Sequence, residues 1–206
     1  MKSLFPMFVK LDGRNVLVVG AGVVGESKIL GLLETGARVR VVALRASEGV
    51  RELANIGKII LEERGFTIGD LDGAFLAVVA TTSRELNELV FQEAQCRGIL
   101  CNVVDVPEQC DFYYPAVVRR GDLQIAVSTT GQSPSLAKKI RQQLERQFGE
   151  GYPEWLRELG DTRRRVLASD LDAQRKRELL SSLASAEALD EAITTVKAQI
   201  VKEGVA

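Results

Sequence analysis

NVLVVGAGVVG, residues 15–25, carries the strongest structural signal in this 206-residue chain. Asn15 to Val19 form a continuous apolar, β-branched run, which is typical of a strand buried on both faces. Gly20, Gly22 and Gly25 follow at GxGxxG spacing, which permits a tight turn, close approach of a pyrophosphate to the backbone, and close packing of the next helix. The N-terminus of that helix then faces the phosphates. The stretch predicts dinucleotide binding; the alternative is a degenerate fold of the same type that binds no nucleotide.

Outward from this turn, apolar strand-like runs alternate with helical segments. Alternation of this kind predicts a Rossmann-type parallel sheet covered by helices on both faces. We assign this dinucleotide-binding domain to residues 1–113. The further predicted strands are Arg38–Ala43, Lys58–Leu61, Ala74–Ala80 and Ile99–Val104, and the predicted helices are Val23–Thr35, Ser47–Ile56 and Arg84–Cys96.

The pattern changes after Asp105. Two β-rich runs, Phe112–Val118 and Asp122–Ser128, predict an antiparallel hairpin whose turn contains Arg119, Arg120 and Gly121. Ser133 and Pro134 predict the start of a helix over Ser135–Phe148. We therefore predict an α/β protein in which a β-hairpin/helix module, residues 114–148, leads to a small all-helical domain, residues 149–206. The tail helices are predicted around Trp155–Leu167, Gln174–Leu183 and Leu189–Val201.

Composition excludes several classes of protein. The formal charge of −1 excludes a globally basic nucleic-acid binder, and no apolar run approaches the roughly 20 residues of a membrane helix. Cys96, Cys101 and Cys110 are odd in number and lack CxxC pairing, which argues against a disulfide framework or a zinc cluster. The chain has no histidine, so acid–base chemistry falls to other side chains and we predict no metal site. We expect a cytoplasmic protein with neither nucleic-acid nor membrane partners.

Candidate cofactor contacts also follow the second and fourth strands. An acidic residue usually ends the second strand of an NAD site, where it binds the adenosine ribose. Here Leu44 and Arg45 stand in that region, and Arg45 suits a 2′-phosphate, so this pattern leaves NAD and NADP both open. Thr81 and Thr82 follow the fourth strand at the edge where ligands bind, although capping the next helix is an equal alternative.

A carboxylate follows the fifth strand in the stretch CNVVDVP, residues 101–107. The carboxyl end of a central strand is where chemistry occurs in such sheets, so Asp105 is a candidate catalytic residue. Forming a turn ahead of Pro107 is the structural alternative.

Four stretches together are similar to one family: LFPMFVKLDGRNVLVVGAGVVGESK, AFLAVVATT, CNVVDVPEQCDFYYPAVV and LQIAVSTTGQSPSLAKKIR. Over about the first 148 residues the chain resembles the precorrin-2 dehydrogenase and sirohydrochlorin ferrochelatase family, including the N-terminal module of fused siroheme synthases. The resemblance implies NAD-dependent oxidation of precorrin-2 to sirohydrochlorin in siroheme biosynthesis. It also implies a homodimer, with residues 114–148 as the dimerisation module.

The resemblance also implies roles for individual residues. Asp105 matches the catalytic aspartate that takes a proton as hydride leaves precorrin-2. Val23, Val24, Leu44 and Arg45 match positions that contact NAD, which favours NAD over NADP. Ser128 matches the start of a serine-bearing loop and is a candidate substrate contact, whereas Thr129 replaces a serine that some members phosphorylate.

Precorrin-2 is a polycarboxylate, so its pocket requires cations. The candidates are Arg119 and Arg120, Lys138 and Arg141, which are three residues apart on one predicted helix, and the run Arg163, Arg164 and Arg165 in the tail. For each of them, a solvated surface position is the alternative. Two alternative functions remain open. One is an enzyme that also inserts Fe(II) into sirohydrochlorin, although this chain has no histidine to assist it. The other is a non-catalytic dinucleotide sensor.

Overall fold

The computed structural model describes residues 4–183. The chain forms two units that meet in sequence between Tyr114 and Pro115. The first unit contains a five-stranded parallel sheet in the order β3-β2-β1-β4-β5, as the alternating pattern predicted. Its strands are β1 Asn15–Ala21, β2 Arg38–Ala46, β3 Ile60–Glu63, β4 Leu76–Val79 and β5 Leu100–Val103; its helices are α1 Val23–Leu33, α2 Glu48–Asn55 and α3 Arg84–Cys96.

Two apolar clusters bury the faces of this sheet. On one face, strand residues pack with Ile29 and Leu32 of α1 and with Val50 of α2. On the other face, they pack with Val90 and Ala94 of α3. Because β1 and β4 lose water contact on both faces, their sequences are continuous apolar runs rather than alternating ones.

The second strand is longer than its sequence pattern predicted. A register shift between Val19 and Ala21 lets Ala21 pair with Ala46, so β2 continues three residues past Ala43. Leu44 and Arg45 therefore lie within the end of β2. The third strand also differs from the prediction: β3 begins at Ile60, not Lys58.

The second unit begins with an antiparallel hairpin, β6 Ala116–Arg120 and β7 Leu123–Val127. The prediction that Arg119 and Arg120 form its turn is wrong, because they pair with Gln124 and Leu123 as the last residues of β6. The two-residue turn is Gly121–Asp122, and Gly121 supplies its positive φ of 58°.

Three helices follow the hairpin: α4 Pro134–Gln147, α5 Tyr152–Ala168 and α6 Ala173–Ser182. Ser133 caps α4 as predicted, since its hydroxyl accepts a hydrogen bond from Leu136 N–H. The helix predicted over Leu189–Val201 lies outside the described residues. Within residues 4–183, no helix is both long and apolar enough to cross a membrane.

Candidate functional site

The glycine-rich turn joins β1 to α1 through close backbone contacts. Gly20 has a φ of 101°, and a Cβ there would lie 2.3 Å from the carbonyl oxygen of Ala80. A Cβ on Gly25 would lie 2.3 Å from the carbonyl oxygen of Gly20. These two positions therefore admit only glycine. A Cβ on Gly22 would meet no atom within 4 Å, so the turn is open on that side.

The N-terminus of α1 faces the same open space. Gly22 is its N-cap and has no side chain to bond the first-turn N–H groups. Val23 and Val24 are exposed, at 84% and 48% of their surface. Uncapped N–H groups at the positive end of a helix dipole attract an anion. The geometry fits the pyrophosphate of a dinucleotide.

The carboxylate that the end of β2 lacks comes from α1. Glu26 accepts a hydrogen bond of 2.6 Å from the hydroxyl of Ser47, the residue that follows β2. Ser47 N–H in turn donates to the carbonyl oxygen of Ala21. Leu44 and Arg45 beside them are exposed. A carboxylate thus lies beside the end of β2, the strand end that usually carries the ribose-binding acid, although it belongs to a different element.

The two threonines after β4 have different environments. The Thr81 hydroxyl donates a hydrogen bond of 2.6 Å to Oδ1 of Asn87 in α3. Thr82 is exposed. Ser83 caps α3, since its hydroxyl accepts from Leu86 N–H. The two threonines lie at the carboxyl edge of the sheet as predicted, and their contact with a cofactor stays a prediction.

Asp105 is exposed just beyond β5 and has a φ of 62°. This left-handed conformation is uncommon for residues other than glycine, although Asp adopts it more readily than most residue types. The Cys110 sulfur lies 3.2 Å from the carbonyl oxygens of both Val103 and Val106, so its single thiol proton is shared between acceptors on the two sides of Asp105. Burial raises the pKa of the Cys110 thiol, which keeps it protonated as a donor.

The segment after this loop is fixed to β5 by a buried amide. Asn102, 6% exposed, donates from Nδ2 to the carbonyl oxygen of Phe112 at 2.8 Å. The rings of Phe112 and Tyr114 pack with their centroids 5.7 Å apart. Desolvation raises the pKa of Tyr114 to about 12, although 42% of the residue's surface is exposed. Tyr114 is therefore a neutral phenol at physiological pH.

Lys28 of α1 contacts this aromatic pair. Its Nζ lies 3.8 Å from the centroid of the Tyr114 ring, within the range of a cation–π interaction. Burial lowers the pKa of Lys28, and the carboxylate of Asp105 acts in the opposite direction. Neither Lys28 nor Glu26 is predicted as a site residue from the sequence, because no local motif marks either residue.

The predicted substrate contacts all lie in the second unit. Ser128 accepts from Thr130 N–H at 3.1 Å, and Lys138 is exposed. Arg120 donates from Nε to Phe148 O at 2.8 Å and from Nη2 to Glu145 O at 3.1 Å, so it has a structural role. Arg141 forms an ion pair with the Glu145 side chain, and Arg119 is exposed at the end of β6. Their binding of substrate stays a prediction.

No group of three or more His, Cys, Asp or Glu side chains in residues 4–183 is arranged to hold a metal ion. Burial raises the pKa of the Cys101 thiol to about 12, so this residue is a protonated, apolar part of the core at neutral pH.

A parallel sheet whose central strand ends in an open glycine turn defines the Rossmann class of dinucleotide-binding proteins. Residues 7–116 match the family model described as putative NAD(P)-binding, and the chain belongs to this family. The predicted dinucleotide cofactor is thereby confirmed. Residues 120–147 match a second model, described as sirohaem biosynthesis protein central.

Among similar proteins, a siroheme synthase of Nitrosococcus oceani is 37% identical over 147 residues, which are 71% of this chain and 31% of that protein. A siroheme synthase of Citrobacter koseri is 35% identical over 96% of this chain and 43% of its own length. The chain thus spans less than half the length of these curated relatives. The solved structure of SirC, precorrin-2 dehydrogenase, is similar over 94% of this chain and 99% of that one, with 28% identity and a TM-score of 0.75.

Proposed function

We propose that this protein is an oxidoreductase that converts precorrin-2 to sirohydrochlorin with NAD, a step in siroheme biosynthesis. The observation that carries the proposal is Asp105: an exposed carboxylate, held in a left-handed conformation at the carboxyl end of β5, in a unit that belongs to an NAD(P)-binding family. Similarity to SirC, precorrin-2 dehydrogenase, over nearly the whole of both chains supports the choice of substrate.

The reaction removes a hydride and a proton from precorrin-2 and leaves one more carbon–carbon double bond. The bound nicotinamide supplies the hydride acceptor. Asp105 accepts the proton; the contacts of Cys110 hold the backbone on both sides of Asp105, and the exposed carboxylate beyond the strand end is accessible to a substrate. The open N-terminus of α1 binds the pyrophosphate and so orients the cofactor. The proposed cofactor contacts are Gly20, Gly22, Val23, Val24, Gly25, Leu44, Arg45, Thr81 and Thr82.

NAD is proposed over NADP because of Glu26. Its carboxylate, bonded to Ser47, repels a 2′-phosphate and accepts hydrogen bonds from ribose hydroxyls. Arg45 is exposed beside it and keeps the role of a cofactor contact.

For the substrate carboxylates we propose contacts with Ser128, Arg119, Arg120, Lys138 and Arg141. We further infer that residues 114–148 form a dimerisation module, that residues 149–206 form a helical C-terminal domain, and that the protein acts in the cytoplasm as a homodimer. We propose no membrane or nucleic-acid partner, in keeping with the formal charge of −1.

The decisive experiment is anaerobic incubation of the purified protein with enzymatically generated precorrin-2 and NAD, with NADP in parallel. We expect sirohydrochlorin and NADH to appear in equal amounts, and slower turnover with NADP. Absence of turnover with either cofactor, from protein that binds NAD, would contradict the proposal and favour a dinucleotide sensor.

Insertion of Fe(II) into sirohydrochlorin is the second candidate, because the curated relatives are named siroheme synthase. In this chain, which has no histidine, the metal as substrate would meet only the nitrogens of the macrocycle and carboxylates such as Asp105. The test is the rate of anaerobic Fe(II) insertion with and without protein. Equal rates would remove this candidate and leave the dehydrogenase proposal intact.

A further inference from the structure

Lys28 is a half-buried cation whose ammonium forms no ion pair within residues 4–183, although the Asp105 carboxylate acts on it electrostatically. The ammonium instead lies over the Tyr114 ring. Lysines removed from water are almost always paired with an anion. A ring face holds the ammonium in place but accepts none of its hydrogen bonds in the way a carboxylate does. Lys28 therefore keeps donor capacity for an anion from outside the chain.

The strand that precedes Asp105 also supports the position of Lys28. Asn102 lies in β5 and bonds Phe112, the Phe112 ring packs on Tyr114, and the Tyr114 ring holds the ammonium. The Asp105 carboxylate acts electrostatically on Lys28, which indicates that the two groups are near each other. Strand β5 thus leads directly to the proposed base and also supports a cation whose ammonium has no hydrogen-bonded carboxylate.

We propose that Lys28 binds a peripheral carboxylate of the substrate and so positions the macrocycle for proton removal by Asp105. The inference rests on the proposed function, since precorrin-2 carries acetate and propionate side chains. The ammonium donates a charge-assisted hydrogen bond to one of them, while the Tyr114 ring limits the motion of the lysine side chain. Lys28 is here a binding residue, and it takes no part in the transfer of hydride or proton.

The test compares Lys28→Met, which keeps an unbranched apolar side chain, with Lys28→Arg, which keeps the charge. We expect Lys28→Met to raise KM for precorrin-2 by about tenfold or more, as loss of a hydrogen bond between charged groups does, and to change kcat less. Lys28→Arg should recover part of that loss. Lys58→Met, which removes an exposed lysine before β3, is the matched control and should behave as wild type.

Direct binding separates this inference from the proposed function. Titration of each variant with sirohydrochlorin in the absence of NAD should show the same affinity loss for Lys28→Met, with the Kd for NAD unchanged. Unchanged sirohydrochlorin affinity and KM would overturn the inference even if the wild type turns over precorrin-2. A raised Kd for NAD would also overturn it, because Lys28 would then serve the cofactor. If Lys28→Met fails to fold, Lys28→Gln provides the same comparison.

Discussion

At the scale of single residues, the carboxylate of Asp105 and its left-handed backbone can be tested by different substitutions. We expect Asp105→Asn to keep the fold and the Kd for NAD while turnover falls about 10²- to 10⁴-fold, because the amide has no base to accept the proton. Anaerobic assays of sirohydrochlorin formation measure the loss. Wild-type turnover in this variant would refute the assigned role.

A pair of further substitutions tests the backbone itself. Asp105→Val places a β-branched residue at a φ of 62° and should lower the free energy of unfolding by about 1–2 kcal/mol. Asp105→Gly removes the same carboxylate without that steric cost, so it should lose turnover but not stability. Urea unfolding measures the free energy of unfolding of both variants. Equal values for Asp105→Val and Asp105→Gly would show that the loop accommodates a β-branched residue without cost.

Cofactor choice gives a second prediction at this scale. We expect Glu26→Gln to raise the ratio of kcat/KM for NADP to that for NAD by roughly tenfold, because a negative charge no longer faces the 2′-phosphate. Glu48→Gln removes a nearby exposed carboxylate in the first turn of α2 and serves as the control. An unchanged ratio in Glu26→Gln would leave Arg45 as the residue to test.

Residues differ in how far the sequence alone could identify them. Gly20, Gly22 and Gly25 are predictable because the turn that needs them is local, and Asp105 because it directly follows an apolar strand. Glu26 and Lys28 are helix residues whose roles depend on contacts with Ser47 and Tyr114, far along the chain. Local spacing does not encode such contacts, so only the folded structure brings them to notice.

At the scale of elements, a charge network joins β2, β3 and the 3-10 turn Ile68–Leu71. Asp70, whose side chain is 4% exposed, receives two hydrogen bonds from Arg64, at 2.6 and 2.8 Å, and one of 3.0 Å from Arg40. Thr67 N–H donates to the same carboxylate at 2.8 Å. The hydrogen bonds from Arg64 are the largest cause of a pKa for Asp70 well below its usual range.

We expect Asp70→Asn to lower the free energy of unfolding at pH 7 by about 2–3 kcal/mol, because two arginines lose a charged acceptor. The folded pKa is below the unfolded value of about 4, so the stabilisation is complete above pH 4 and is lost as pH falls further. Urea unfolding at pH 7 and at pH 3 should therefore show the gap between wild type and variant narrowing at the lower pH.

Asp72→Asn is the matched control for this network. Asp72 also pairs with an arginine, Arg97, but its side chain is 75% exposed. Solvent screens such a pair, so the change should cost less than about 1 kcal/mol. Equal losses for Asp70→Asn and Asp72→Asn would show that burial of the network contributes nothing.

The hairpin shows what limits sequence prediction at the scale of elements. Arg119 and Arg120 are polar and precede a glycine, so they resemble a turn, yet both pair across the hairpin because the turn needs only Gly121 and Asp122. The second strand likewise extends beyond its apolar run because backbone pairing with β1 continues. Main-chain hydrogen bonds define these ends, whereas apolar patterning defines only the middle of each strand.

The hydrogen bonds of Arg120 predict a separation of stability from substrate binding. Arg120→Lys removes the planar group that reaches both Phe148 O and Glu145 O at the end of α4. We expect the free energy of unfolding to fall by about 1–2 kcal/mol. KM for precorrin-2, measured on the folded variant, tests the proposed substrate contact independently: a rise supports it, and an unchanged value restricts Arg120 to its structural role.

At the scale of the whole molecule, the two units differ in how much apolar surface they bury. The sheet of the first unit has a core on each face. Within residues 115–183, by contrast, the buried apolar residues are Val118, Ala137 and Tyr152. An isolated two-stranded hairpin is marginal by itself, so this unit depends on packing against its helices, which bury few apolar residues here. The predicted homodimer would supply the missing burial, with residues 114–148 of each copy covering the other.

Helix α4 offers the residue with which to test this dimer. Leu136 is 49% exposed, and Ile140 and Leu144 on the same stripe are only partly buried within the chain. We expect Leu136→Glu to shift the protein from dimer to monomer in sedimentation velocity and to lower its Tm, because a charge would be buried at the interface without a partner. Leu89→Glu, at a 43% exposed leucine on α3 of the first unit, is the control and should leave the dimer intact. A wild-type chain that sediments as a monomer at assay concentration would refute the dimer, and the sparse core of the second unit would then predict that it unfolds before the first.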